Sequence, residues 1–491
     1  MTRGDGTRRN WVRLDNASNI FLAARSDSDP KVFRISAEMD HDVDPVLLQQ
    51  ALDATYDRYP LYHAVLRRGV FWYYLQDSDL RPRVTGDRQH TCAPIYQADR
   101  RNLLFRVMHH RQRIILEIFH ALSDGTGALW FLTDLVTAYV SLRHPEQPST
   151  QGESGAGSDA HADRGQLDAR TPAGEGAEPT HGLVADSFAH YFRRRRRHEA
   201  PASEPDFSTG PGPAAPGSGV VGGRARFARG IPRRIGRFFH LPERKVYRVR
   251  GTRTPDNRTR AVELTMPAHD VLNLARAAEV PLTMFLTALF FESIRASAGD
   301  LGKARTLSAS APVNLRQFFP STSPRNFFAT VRVDHTYGEG ADDVGSIGRQ
   351  LDAQFSPKVS PEALEKTLRQ FIRLEGLFVL RVIPRPLKDV ILRLVNWGNN
   401  RGLSIAVSNL GRVSLPDSVD EHVGRMSFHV SAARPQICVM SHAGVLTISF
   451  TSPCVETDHI KEFARLLTDR GVAVTVAAAR VTEEELAEAA L

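Results

Sequence analysis

Cysteine is nearly absent: three in 491 residues, Cys92, Cys438 and Cys454. They are odd in number, far apart and without metal-ligand spacing, which argues against a disulfide framework or a structural metal and for a reducing, cytoplasmic setting. Long apolar runs are missing too. No stretch reaches the roughly 18 uncharged apolar residues that a membrane-crossing helix needs, and the opening MTRGDGTRRNWVRLD has no apolar run after its arginines. Neither a signal peptide nor a membrane span is therefore expected. Nor is there a folded basic platform with interleaved stacking aromatics, so nucleic acid is not an expected partner.

Charge and apolar content are present, and their placement is informative. The net charge is +8, and the segment Arg193 to His240, with eleven arginines, no lysine and three acids, accounts for all of it. That segment is rich in Pro, Gly and Ala and reads as a connector. Residues 146–182 lack apolar periodicity and cannot bury enough surface to offset the entropy of ordering, so they are expected to be disordered. A short helix is expected at 183–192, beside the run Arg193–Arg197. That run reads first as a solvated stretch partly neutralised by the acidic half of the same linker; the alternative is weak contact with anionic membrane, and with it a peripheral place at the inner membrane surface. The 42 % hydrophobic content supports sizeable cores on either side. The expected organisation is a first lobe at 1–145, an insert at 146–242 and a second lobe at 243–491.

Both lobes mix strands and helices, an α+β pattern. KVFRISAEM, LLFRVMHH and RIILEIFH in the first, and RAVELTM, RTLSASAPV, FFATVRVDH, LSIAVSN, MSFHVSA, QICVMSH and VLTISFT in the second, have strand composition. DPVLLQQALDATYDRY, GALWFLTDLVTAYVSL, LTMFLTALFFESIRAS and HIKEFARLLTDR have helical apolar spacing. Each lobe opens with a strand, a turn and a helix start, and both turns contain His-Asp-Val, at 41–43 and 269–271. The repetition suggests a duplicated unit.

The strongest chemical signal is FHALSDGTGALW at 119–130. By period-two alternation Ile114, Leu116, Ile118 and His120 share a strand face, which holds a titratable ring at a strand end among buried side chains. A buried core histidine before an ordinary Asp-Gly turn would give the same pattern. A histidine near neutral pKa can instead take the proton of an attacking hydroxyl, and no covalent nucleophile is then needed. Asp124 either orients the ring or pairs with an arginine that braces the loop; bracing is favoured. A metal site using His109, His110 and His120 fails on geometry, because the first two are strand neighbours facing opposite ways.

Phe-His120-Ala-Leu-Ser-Asp124-Gly125 resembles the HxxxDG motif of the chloramphenicol-acetyltransferase-like superfamily. That superfamily includes peptide-synthetase condensation domains, plant acyl-CoA-dependent acyltransferases, wax ester synthases and alcohol acetyltransferases. Three further segments are similar to elements of these families: LDATYDRYPLYHAVLRRG with Arg58, Pro312-Val313-Asn314-Leu315-Arg316, and Val407-Ser408-Asn409-Leu410-Gly411. The resemblance implies two pseudo-repeated lobes in a V with a tunnel between them, and His120 midway as general base. It implies that Arg316, or alternatively Arg58, braces Asp124, that Gly125 leaves space for the thioester arm, and that Ser408, Asn409 or Asn314 lines the tunnel or meets the oxyanion. Acyl-CoA is then a co-substrate with no permanent cofactor, and the acceptor is an alcohol or amine. The alternatives are a carrier-protein-dependent or amide-forming condensation enzyme, and a catalytically silent ligand-binding protein. The plant branch is disfavoured, since no Asp-Phe-Gly-Trp-Gly occurs and Asn396-Trp397-Gly398 is a poor substitute. Arg325-Asn326-Phe327-Phe328 either lines the tunnel near the lobe boundary or is a strand start with buried aromatics. Residues 371–400 are expected to form a pair of packed helices broken at Pro384–Pro386, the alternative being a lid or lining for an apolar acyl group.

Overall fold

The structure is a computed structural model that describes residues 11–14, 16–98, 100–145, 245–254, 258–302, 304–375 and 383–478. The insert expected at 146–242, with its arginine run, lies outside them. Helices are α1 (Asn16–Ala24), α2 (Pro45–Arg58), α3 (Gly125–Arg143), α4 (Ala268–Ala277), α5 (Leu282–Ala298), α6 (Val344–Phe355), α7 (Pro361–Glu375), α8 (Arg385–Arg401) and α9 (Asp458–Thr468).

Local chemistry explains where they start. Asp44 caps α2, its Oδ1 accepting from the backbone N–H of Val46 at 2.8 Å and Leu47 at 3.2 Å, and Pro45 stands where no N–H is required. Leu48, Ala51, Leu52, Thr55 and Tyr56 then turn to the core. Asp124 caps α3 in the same way.

The strands form three sheets. A small one runs β1 (Trp11–Arg13), β4 (Tyr73–Gln76), β3 (Val65–Arg68). A five-stranded sheet runs β12 (Val423–Val430), β2 (Val32–Met39), β7 (Arg113–Phe119), β6 (Phe105–His110), β5 (Thr85–Gly86). A seven-stranded sheet runs β10 (Phe328–Thr336), β9 (Thr306–Asn314), β11 (Ile405–Arg412), β13 (Gln436–His442), β14 (Val445–Ser452), β8 (Arg260–Pro267), β15 (Thr475–Ala478). Each large sheet has its own core, and Leu410, Val413, Met426 and Phe428 of the second half join the first core.

Two expectations change here. Strand β12 leaves the second half and pairs antiparallel with β2, from Val423 opposite Met39 to Val430 opposite Phe33, so the lobe boundary drawn along the sequence is crossed by a strand. His41-Asp42-Val43 lies in a loop before α2, whereas His269-Asp270-Val271 sits inside the first turn of α4, so the echo does not mark equivalent positions. Strand β7 is buried on both faces. Opposite the apolar row, Glu117 is fully buried, bound by Arg34 Nε at 2.7 Å, Arg106 Nε at 2.7 Å and the Cys92 N–H at 2.8 Å.

Candidate functional site

The loop from His120 to Asp124 meets the segment 314–327 of the second half, and both of its polar ends are held there. Asp124 and Arg316 form a buried ion pair, Nη1 to Oδ2 2.7 Å. The same oxygen accepts from the Phe327 N–H at 2.8 Å, while Oδ1 caps α3 through the Gly127 N–H at 2.9 Å. Arg316 Nη2 donates to the carbonyls of Ser323 at 2.8 Å and Arg325 at 2.6 Å, and its guanidinium lies 5.2 Å from the Trp130 ring. Asn314 Oδ1 accepts from the Arg316 N–H at 3.0 Å and fixes the turn that presents it. With both carboxylate oxygens engaged in this way, Asp124 braces the loop and does not hydrogen-bond the imidazole.

Among the expected residues, Arg58 stands apart. It pairs with Asp134 of α3 at 3.2 Å and is half exposed, because α2 turns it along the outside of α3. The second partner expected for Asp124 is therefore excluded.

Gly125 departs from expectation as well. A Cβ there would come 2.7 Å from Leu410 Cδ2, so the room it leaves is filled by a leucine of β11. Gly127 is more tightly constrained, since its Cβ would lie 2.1 Å from the Pro324 carbonyl oxygen. Ser123 Oγ donates to that same oxygen at 2.5 Å. Asn409 donates to Thr283 Oγ1 at 3.0 Å and accepts from the Gly411 N–H at 2.8 Å. No hydrogen bond among the described residues joins it or Ser408 to His120 or Asp124.

His120 follows β7, and its N–H donates to the Lys31 carbonyl at 2.8 Å. The partly exposed ring is stacked on Phe21 of α1, centroids 4.1 Å apart and planes 17° apart, with the Phe33 edge at 5.0 Å and Phe328 at 5.8 Å. Burial among these rings pushes its pKa below the usual imidazole value. Asn326 sets the tautomer. Its Nδ2 donates to the His120 carbonyl at 2.7 Å and to Ser18 Oγ at 2.9 Å, so its Oδ1 is the atom 3.2 Å from His120 Nδ1. The reversed amide would set two carbonyl oxygens against each other at 2.7 Å. An amide oxygen only accepts, so Nδ1 carries the proton and Nε2 keeps its lone pair.

The sequence placed Asn326 near the lobe boundary without this bond, and assigned nothing to Phe21 or Ser18. A polar residue immediately before two aromatics at a strand start was the available signal for Asn326. Cys92 and Cys438 are buried, and burial pushes the Cys438 thiol up to about 12; burial also raises the half-buried Cys454 thiol. Among the described residues, no group of three or more His, Cys, Asp or Glu is placed to hold a metal ion.

No protein-family model and no curated protein matches this chain. Solved structures do. The first condensation domain of the CDA synthetase is 14 % identical with a TM-score of 0.54, covering 97 % of this chain and 100 % of that one. Polyketide synthase associated protein 5 from Mycobacterium tuberculosis is 13 % identical with a TM-score of 0.52, covering 93 % and 97 %. A mutant starter condensation domain of rhizomide synthetase RzmA, in complex with C8-CoA and Leu-SNAC, is 12 % identical with a TM-score of 0.53, covering 94 % of each chain. At such identities the likeness is one of fold. The chain carries the α+β fold of condensation domains, with its two pseudo-repeated lobes, as the motif resemblance implied.

Proposed function

We propose that the chain is an acyltransferase in which His120 acts as general base. The carrying observation is the imidazole itself: held neutral by its surroundings, protonated on Nδ1 by its bond to Asn326, and left with a basic Nε2. An acceptor hydroxyl attacks the thioester carbonyl, the new C–O bond forms, and its proton passes to Nε2. The tetrahedral intermediate then expels the thiolate as the C–S bond breaks, and the imidazolium returns the proton to sulfur. The donor in this reading is acyl-CoA and the acceptor an alcohol, reached through a tunnel between the lobes. The complex of a mutant RzmA starter condensation domain with C8-CoA supports a CoA donor on this fold.

The condensation domains among the neighbours favour one second reading, a carrier-bound donor with an amine acceptor. Thiol release from acetyl-CoA and longer acyl-CoAs, with panels of alcohols and amines, tests both. Acceptor-dependent release that falls by about two to four orders of magnitude in a folded His120→Ala variant supports the general-base reading. Turnover only with carrier-bound donors selects the second. Turnover that His120→Ala leaves intact removes the catalytic assignment.

A further inference from the structure

Helix α8 is turned inside out. Leu387, Val390, Ile391, Leu394 and Trp397 recur at helical spacing on one face, and each is between 38 % and 56 % exposed. The polar side chains on the other flank make the contacts with the protein. Arg385 Nη1 donates to the Gly69 carbonyl at 3.1 Å, Lys388 Nζ to Phe71 at 3.1 Å and Arg393 Nε to Ala23 at 3.0 Å, while Asp389 accepts from the Tyr73 hydroxyl at 2.9 Å. Of the helix pair expected at 371–400, residues 376–382 lie outside the described residues; the described second helix, α8, turns its apolar stripe to solvent.

The β3–β4 turn, which receives Arg385 and Lys388 of α8, adds exposed Val70 and Phe71 beside the helix. Cations border it. Lys388 Nζ lies 3.3 Å from the Trp72 ring centroid, the Arg401 guanidinium lies 3.8 Å from that of Trp397, and α8 has four basic residues against the single Asp389. Three of the chain's four tryptophans, Trp11, Trp72 and Trp397, stand on α8 or on the small sheet and its turn.

We infer that α8 and the β3–β4 turn form a docking face for an anionic phospholipid bilayer. A helix with a broad apolar face, modest overall hydropathy, basic flanks and tryptophan at its edge lies in the boundary between headgroups and acyl chains. The apolar stripe enters that boundary while Arg401, stacked on Trp397 at its edge, meets lipid phosphates. A second copy of this chain fits less well, because a two-fold contact on this face would set two helices of net positive charge against each other. The face lies beside α1, which carries Phe21 and Ser18 to His120. Docking stands independently of the acyl-transfer reading. Should that reading hold, it would bring a lipophilic acyl chain or alcohol close to the site.

The full chain is mixed with vesicles of phosphatidylcholine alone or with one-third phosphatidylglycerol, and partition is read by co-sedimentation and tryptophan emission. The expected result is partition at least about tenfold stronger onto the anionic vesicles, weakening with salt, and lost about tenfold in Val390→Asp/Leu394→Asp. Both positions are solvent-exposed, and Leu387→Ser/Ile391→Ser repeats the test with a milder pair. The proposal is overturned by the absence of partition, or by partition that both variants retain. It is equally overturned if the wild type proves a dimer that the variants convert to monomer.

Discussion

Phe21 and Asn326 control His120 in separable ways, one through hydration and one through the tautomer. Under the proposed general-base reading the neutral ring is the reactive form, and because burial lowers the imidazole pKa, activity should rise with pH along a limb that lies below about 6.5. Phe21→Ala admits water to the stacked face and should move that limb upward, which a kcat/KM profile over pH detects. Asn326→Leu keeps the volume and removes the acceptor at Nδ1. It should lower kcat by about tenfold to a hundredfold with little change in the melting temperature of the bulk fold. A variant with wild-type kcat would show that the tautomer is set elsewhere.

At the scale of elements, the N-terminus of α3 packs directly against the backbone of the second half at Pro324. Gly127→Ala would drive a Cβ into the Pro324 carbonyl, a backbone atom that yields only if the segment moves. Gly125→Ala meets the end of the Leu410 side chain, which can change rotamer. Chemical denaturation should therefore show a loss of about 3 kcal/mol for Gly127→Ala and under about 1 kcal/mol for Gly125→Ala. Equal losses would mean that Leu410 is as fixed as the backbone.

Most of the strands and long helices were legible in the sequence because period-two and period-3.6 burial are local properties; RIILEIFH and GALWFLTDLVTAYVSL each fall on the element expected. The Asp124–Arg316 pair was legible only through its motif. Asn326 was not, since its bond to His120 spans 206 positions and depends on how two separately folded segments approach. Apolar spacing marked α8 as a helix, but nothing local says whether such a stripe finds a partner. Alternation in MSFHVSA likewise announces a strand and is silent on which sheet receives it.

The whole molecule is joined across its halves by a charged cluster as well as by β12. Glu263 of β8 takes Arg113 of β7 bidentately, at 3.0 and 2.9 Å. Arg113 and Arg425 of β12 both reach Glu38, at 3.1 and 2.7 Å. Burial alone would raise the Glu263 carboxyl, yet the facing Arg113, Arg425 and His429 hold it at about 2, against 4.5 unperturbed. A depressed carboxyl stabilises the fold above its unfolded pKa and loses that contribution as pH falls toward the folded one. Stability should therefore drop through this group as pH falls from about 4.5 toward 2. Glu263→Gln should be less stable at neutral pH by about 2–3 kcal/mol and flatter across that acid window in denaturant titrations. An unchanged acid slope would assign the drop to other carboxylates.

Strand β12 has a further consequence for how the polypeptide can be divided. Without residues 423–430, β2 would be left as a bare edge, open to pairing with any other chain. The first half made alone should aggregate. Two fragments made together, cut anywhere between residues 145 and 245, would each hold what the other lacks. They should assemble as a split protein whose activity reports the reunion of its parts.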